Sequence, residues 1–268
     1  MRTIARFHAM VYGYYRANPR PMPWRETDDP YRILVSEIML QQTQVERVKL
    51  KYAEFLTAFP TVHELDFAPL SGVLQVWQGL GYNRRAMYLK RCAEAVVKGY
   101  AGQLPRTINE LQLLPGIGPY TARAVAAFAY GVAEPFIETN IRSLFIHFFF
   151  HGRDSVHDRE IMPLVAATLD RENPREWYYA LMDYGAMLKQ TNCNPGRRSS
   201  HHTQQSPFAG SNRQLRSRIL REIVARQHVS IEEVADSMAL EREAVQRNLE
   251  AMRREGLLVK RGQRYCVS

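Results

Sequence analysis

Cysteine is scarce in this chain: Cys92, Cys193 and Cys266 are the only three in 268 residues. Widely spaced and odd in number, they exclude a disulfide scaffold and point to a reducing compartment. Long apolar runs are missing as well. The longest, such as residues 125–130 and 144–150, fall far short of the roughly 20 residues a membrane span needs, so no membrane contact is expected. The first ten residues carry charges inside any would-be apolar segment, and no signal peptide is expected there. Acidic residues are in deficit, with 27 Asp and Glu against 36 Lys and Arg, a formal net charge of +9. With 46% hydrophobic and 24% charged residues the composition is that of an ordinary soluble globular protein, neither disordered nor collagen-like. A basic excess in such a chain points to nucleic acid as the partner; a merely basic enzyme is the alternative.

Alternating strand patterns are also lacking before residue 255, and helical periodicity takes their place. Tyr31, Leu34, Ile38, Gln41, Gln42, Val45, Val48 and Tyr52 recur at three- and four-residue steps and predict one buried stripe. Similar stripes run through residues 70–77, 84–97, 120–128, 141–149, 161–169 and 177–187, separated by glycine and proline turn signals. The fold class expected is all-α. Residues 1–190 read as one helical domain and 191–212 as a basic, polar linker rich in Ser, Asn and Gln. From Lys189 to Arg226, eight basic residues face the single acid Glu222, the strongest electrostatic footprint in the chain.

Residues 213–268 read as a separate module. An amphipathic helix at 215–225 precedes a second one opened by Ser230 and Glu233, a capping box, and a third at 241–255. A hairpin at 256–267 completes the order of a winged helix-turn-helix. A module serving only dimerisation is the other reading.

Leu114-Pro115-Gly116-Ile117-Gly118-Pro119-Tyr120-Thr121 is a sharp glycine-rich turn between two helices. Such a turn brings backbone N–H groups and a positive helix end to one point, where a phosphate oxygen can rest. Alone, it is as readily plain helix punctuation. Further words accompany it: Pro23-Trp24-Arg25, Asp29-Pro30-Tyr31, Gly79-Leu80-Gly81-Tyr82 and Leu181-Met182-Asp183-Tyr184-Gly185-Ala186. The longest word is Val35-Ser36-Glu37-Ile38-Met39-Leu40-Gln41-Gln42-Thr43-Gln44-Val45. Together, over about residues 15–190, they resemble the helix-hairpin-helix DNA glycosylase superfamily, and within it the MutY-type adenine glycosylases.

The resemblance implies a two-lobed helical fold that flips a base out of double-stranded DNA, because the glycosidic bond is buried in a stacked duplex. It implies a monofunctional base excision repair hydrolase removing adenine opposite guanine or oxidised guanine. Such an enzyme is expected to act as a monomer in the cytoplasm, associated with the nucleoid. By position, Glu37 is the general acid that protonates the leaving purine at N7; among Ile33, Leu34, Met39 and Leu40 a carboxyl is expected to be desolvated and its pKa raised. Glu138 stands where the family carries its catalytic aspartate, beneath the sugar of an oxocarbenium-like transition state. Its simpler reading is an acid favoured by the dipole of the helix that follows. Tyr120 stands where bifunctional relatives of the endonuclease III type carry a Schiff-base lysine, so no lyase step is expected; a packing role is the alternative. Gln41, Gln42 and Tyr82 fall where the family wedges the duplex, and Trp24, Arg25 and Tyr179 where it builds the pocket wall, although Trp24 equally suits a core. Gly116, Gly118 and Thr121 are the expected phosphate contacts, joined by Arg197 and Arg198 with Ser199 and Ser200.

The pattern breaks twice. Relatives carry four cysteines for an iron–sulfur cluster; here Lys189 stands at the first of those positions and Cys193 is the only thiol nearby, so no [4Fe–4S] cofactor is expected. Cys193 with His201 and His202 matches no familiar zinc spacing, and no metal site is expected. A monovalent cation at the hairpin stays open. The second break is the winged-helix module, which stands where the MutY type has a β-rich domain. Two alternatives follow: a mismatch-specific thymine or uracil glycosylase, or a DNA-binding regulator on an inactive glycosylase scaffold.

Overall fold

The computed structural model describes residues 2–191, 194–204 and 207–268. Cys193 lies outside them. The chain opens with helices α1 (Arg2–Ala17), α2 (Pro30–Leu40) and α3 (Val45–Ala58). Then come α4 (Val62–Phe67), α5 (Leu70–Trp77), α6 (Arg84–Tyr100) and α7 (Ile108–Leu113). The next four are α8 (Pro119–Tyr130), α9 (Thr139–Phe149), α10 (Asp158–Thr168) and α11 (Pro174–Thr191). Helices α12 (Asn212–Arg226), α13 (Ile231–Met238) and α14 (Arg242–Arg254) precede strands β1 (Leu258–Arg261) and β2 (Arg264–Val267). The fold is mostly helical, as the periodicity predicts.

The chain divides into two compact units. The first comprises Met1–Leu34, Arg106–Leu113 and Ile117–Gln204. Its centre is the pair α9 and α11, which pack along much of their length. Gly185 permits that approach, since a Cβ there would stand 2.1 Å from the carbonyl oxygen of Asn140. Helix α1 closes one side. Arg6 and Arg16 are exposed while Phe7 and Val11 are buried, and the Phe7 ring lies 5.6 Å from Phe145 and 5.9 Å from Trp177. No stripe is visible for α1 in the sequence, because its arginines and histidine interrupt a short apolar face.

The second unit comprises Val35–Pro105, Leu114–Gly116 and Gln205–Ser268. Its core gathers Phe55, Leu65, Val73, Trp77, Met87 and Val96 from α3 to α6. The C-terminal helices belong to this same unit. α12 packs on α5, with Leu74 and Gln78 on one side of the seam and Ser217, Leu220 and Val224 on the other. Ser230 accepts from the Glu233 backbone while the Glu233 side chain accepts from the Ser230 N–H, the expected capping box. Strands β1 and β2 pair antiparallel with Leu258 opposite Val267 and Arg261 opposite Arg264. The buried Tyr265 pins this wing, its hydroxyl donating to Glu250 at 2.6 Å.

One expectation needs correction. The stripe from Tyr31 to Tyr52 is not a single helix. It stops at Leu40 and restarts at Val45, with Gln42 between them in the left-handed region at φ 55°. The second helix resumes in phase, so spacing alone cannot reveal the break.

Candidate nucleic-acid and catalytic site

In the second unit, Glu37 sits on α2 at 6% exposure with Val35, Ile38 and Met39 buried around it. The turn after α2 carries the half-buried Gln41 and the exposed Gln42. A second turn, Gly79-Leu80-Gly81-Tyr82, has three residues at positive φ: 94° at Gly79, 72° at Gly81 and 47° at Tyr82. A tyrosine in that region is strained by about 1 kcal/mol or more and persists only where its surroundings hold it.

Arg85 supplies that hold. It is buried, and its guanidinium donates to the carbonyls of Ile38 (2.9 Å), Met39 (2.8 Å) and Gln41 (2.5 Å) at the end of α2. It also donates to Thr43 Oγ1 at 3.0 Å and to the Leu80 and Gly81 carbonyls, each at 3.2 Å. Burial pulls this guanidinium down to about 10. Trp77 adds a bond from Nε1 to the Gly81 carbonyl at 3.1 Å. One side chain therefore locks the two turns that carry Gln41, Gln42 and Tyr82. Sequence reasoning missed Arg85, since carbonyl acceptors leave no side-chain signature.

In the first unit, Arg25 and Tyr179 come together: the guanidinium carbon lies 4.5 Å over the ring. Tyr179 stacks in turn on Phe128, with centroids 4.5 Å apart and planes 9° off parallel. Arg25 is held by Asp183, whose buried carboxylate accepts bonds of 2.7 and 2.8 Å from it and one of 2.8 Å from Arg20. Nothing in the word at residues 181–186 announces this role for Asp183, because its partners Arg20 and Arg25 lie far away in the sequence. Trp24 is 3% exposed in the turn Pro23–Arg25, so the core reading fits it better than a pocket wall.

Glu138 is the N-cap of α9. Its carboxylate accepts from the backbone N–H groups of Asn140 (2.7 Å) and Ile141 (2.8 Å) and from the Asn140 side-chain amide (3.3 Å). These bonds fix where the carboxylate points. Phe136 packs flat on Tyr178 at 3.8 Å, and the Tyr178 hydroxyl donates to the Glu134 carbonyl at 2.7 Å, so the segment before Glu138 is anchored too. Tyr120 meets the edge of Phe136 with centroids 5.7 Å apart, an arrangement that matches packing. Lys189 is half-buried, and burial lowers its amine below the usual lysine range against the opposing attraction of Glu138.

Between α7 and α8, Leu114 and Ile117 are buried while Gly116 and Gly118 face outward. Only Gly116 is conformationally demanded. It has φ 79°, and a Cβ there would stand 2.6 Å from Tyr88 Cβ. Gly118 is extended at φ −83° and caps α8, with nothing within 4 Å of a Cβ position, so space is open above the first turn. Thr121, in the first turn of α8, is buried.

The segment after α11 corrects another expectation. Arg198 does not present its guanidinium outward. It caps the end of α9, donating to the carbonyls of Phe150 (2.7 Å), Arg153 (3.3 Å) and Ile146 (3.3 Å). Arg197, its neighbour, is exposed. Three cysteines in the whole chain cannot complete a four-thiolate cluster, and two of them, Cys92 and Cys266, are buried free thiols. Burial pushes the Cys92 thiol up to about 12. Among the described residues no group of three His, Cys, Asp or Glu is placed to hold a metal ion, and no helix is long and apolar enough to cross a membrane.

Residues 35–171 match the model of the HhH-GPD superfamily base excision DNA repair proteins. Adenine DNA glycosylase of Mycobacterium tuberculosis is 37% identical over 183 residues, covering 66% of this chain and 60% of its own length. That of Homo sapiens is 34% identical over 206 residues, covering 72% of this chain and 37% of its own. The chain thus spans well under two thirds of the length of these relatives. Among solved structures, a thermostable thymine-DNA glycosylase aligns with a TM-score of 0.62 and 26% identity over 69% of this chain and 87% of its own. An endonuclease III–DNA complex aligns with a TM-score of 0.57 at 20% identity, covering 80% of this chain and 95% of its own, a likeness of fold. With the family's motifs in order along a helical fold of the same kind, the chain belongs to the HhH-GPD superfamily of base excision DNA repair proteins.

Proposed function

We propose that the chain is a monofunctional DNA glycosylase that hydrolyses the N-glycosidic bond of a flipped, mismatched adenine in double-stranded DNA. The observation that carries this reading is Glu37, a carboxyl at 6% exposure on the helix whose sequence word matches the adenine branch. In the proposed reaction Glu37 protonates adenine at N7, and the C1′–N9 bond breaks with its electron pair leaving on the base. The Glu138 carboxylate stabilises the cationic sugar, and water adds to C1′, giving up its proton to the Glu37 carboxylate left after the first transfer. Tyr120 offers no amine for a Schiff base, which favours simple hydrolysis over a lyase step. The exposed Arg197 and the open first turn of α8 suit phosphate contact. We further propose that the protein acts as a monomer, without an iron–sulfur cluster, and among the DNA of the cytoplasm.

A second reading has one observation in its favour: a solved neighbour at 26% identity is a thymine-DNA glycosylase. The experiment that separates the two is single-turnover excision on a panel of duplexes holding A·G, A·oxidised-G, T·G and U·G, with alkali to reveal abasic sites. Excision of adenine alone supports the first reading, and excision of thymine or uracil the second. Excision of nothing would favour a regulator. Glu37→Gln is expected to slow the step by at least about a hundredfold while sparing duplex binding.

A further inference from the structure

The C-terminal module reaches the turn that carries Tyr82. Arg213, in the first turn of α12, donates from Nη1 to the Tyr82 hydroxyl at 2.6 Å, with its guanidinium carbon 5.7 Å from the ring centroid. Arg85 lies on the same ring at 5.5 Å. Tyr82 therefore has a guanidinium from α6, one from α12, and a strained backbone at φ 47° that both help to hold.

Arg213 is itself fixed by the module. Ser211 caps α12 by accepting from the Gln214 N–H, and the seam of α12 on α5 is lined by Leu74, Leu220 and Val224. Arg216 pairs with Glu255 at 2.6 Å, tying α12 to the end of α14. An arginine whose task was to hold phosphate would be expected to reach outward, as Arg197, Arg218 and Arg221 do by exposure. Arg213 is half-buried and spends a short bond on a phenol oxygen. Because the phenol accepts this bond, its own proton is directed elsewhere, toward whatever Tyr82 meets.

We propose that Arg213 is a positioning residue, through which the C-terminal module sets the conformation of Tyr82 for entry into the duplex. The inference rests on the reading of Tyr82 as a residue that meets DNA beside the flipped base. It gives the module a part in the excision step, beyond added affinity.

The test is a double-mutant cycle on the full chain with Arg213→Ala, Tyr82→Phe, the pair together, and Arg213→Lys. Each is checked for an unchanged melting temperature within a few degrees. Arg213→Ala and Tyr82→Phe should each slow single-turnover excision at saturating enzyme by about tenfold, the scale of one charge-assisted hydrogen bond. The double variant should be no slower than either, and Arg213→Lys should recover part of the rate. The salt dependence of duplex binding should stay unchanged. Additive losses in the double variant would overturn the proposal. So would an Arg213→Ala variant with a normal saturating rate and a salt slope reduced by roughly 0.9, the behaviour of a phosphate contact. If the wild-type chain excises no base, the glycosylase reading fails on its own. The cycle then runs on affinity for a duplex holding a stable abasic-site analogue, where non-additivity supports the role of Arg213 and additivity overturns it.

Discussion

Gly185 meets the backbone of Asn140: a Cβ at Gly185 would lie 2.1 Å from the Asn140 carbonyl oxygen and 2.6 Å from its carbon. The obstacle is backbone, so neither side can yield cheaply. Two residues before Asn140 stands Glu138, whose carboxylate is aimed by the first N–H groups of the same helix. Gly185→Ala is expected to push α11 from α9, lower stability by about 1–3 kcal/mol and slow excision by displacing Glu138. Urea denaturation and single-turnover kinetics on the variant check both effects; unchanged values would show that the two helices tolerate separation.

Asp183→Asn should be costly. The carboxylate has no exposed side-chain surface and neutralises Arg25, which is itself largely buried. Removing the charge leaves that arginine uncompensated, at about 3–5 kcal/mol. Arg20, more exposed, contributes less. A denaturation midpoint within experimental error of wild type would show that Arg25 finds another partner.

Arg85→Met keeps the stem and removes the guanidinium. Five carbonyls then lose a donor they share: those of Ile38, Met39, Gln41, Leu80 and Gly81. A loss of about 3 kcal/mol or more is expected, since single unsatisfied buried groups cost about 1–3 kcal/mol. Hydrogen exchange should rise first in the two turns that the guanidinium joins.

Acid should weaken the first unit through Asp158. Burial by itself would raise this carboxyl, but paired bonds of 2.6 Å from Arg142, together with its charge, outweigh burial and hold the group below its ordinary 3.8. For a depressed carboxylate the stabilisation is complete above the unfolded value and is lost as pH falls through the folded one. The denaturation midpoint of the wild type should therefore drop as pH falls below about 4. Asp158→Asn should start lower at pH 7 and decline less over that interval. Parallel curves would exclude the pair as an acid-sensitive contact.

Much of the helical framework is readable in the sequence, because wherever an apolar face is continuous the 3.6-residue period survives: α5, α6, α8 and α11 lie where their stripes fall. The Ser230–Glu233 box is legible for a local reason, as both partners are three residues apart. What escapes is long-range or backbone-mediated. Arg213 and Tyr82 lie 131 positions apart, and nothing in either neighbourhood announces the other. Arg198 reads as a phosphate ligand because its neighbours are basic and polar, yet the carbonyls at the end of α9 claim it first. Helix α1 is hidden because Phe7 and Val11 leave too narrow a stripe among charged residues.

The two turns that carry Gln41, Gln42 and Tyr82 are tied by a cation whose acceptors are neutral dipoles. Arg85 donates to carbonyls and to one hydroxyl, and among the described residues no carboxylate is one of its hydrogen-bond acceptors. Ionic screening acts on charge pairs exposed to solvent and has little purchase on short buried bonds of this kind. Phosphate contacts weaken steeply as salt rises. In the proposed function these turns wedge the duplex, and the structure that holds them is one that ionic strength does not soften, unlike the phosphate contacts proposed beside them. On that proposal, a change of salt should alter how often the protein is seated on DNA and leave the shape of the two turns the same.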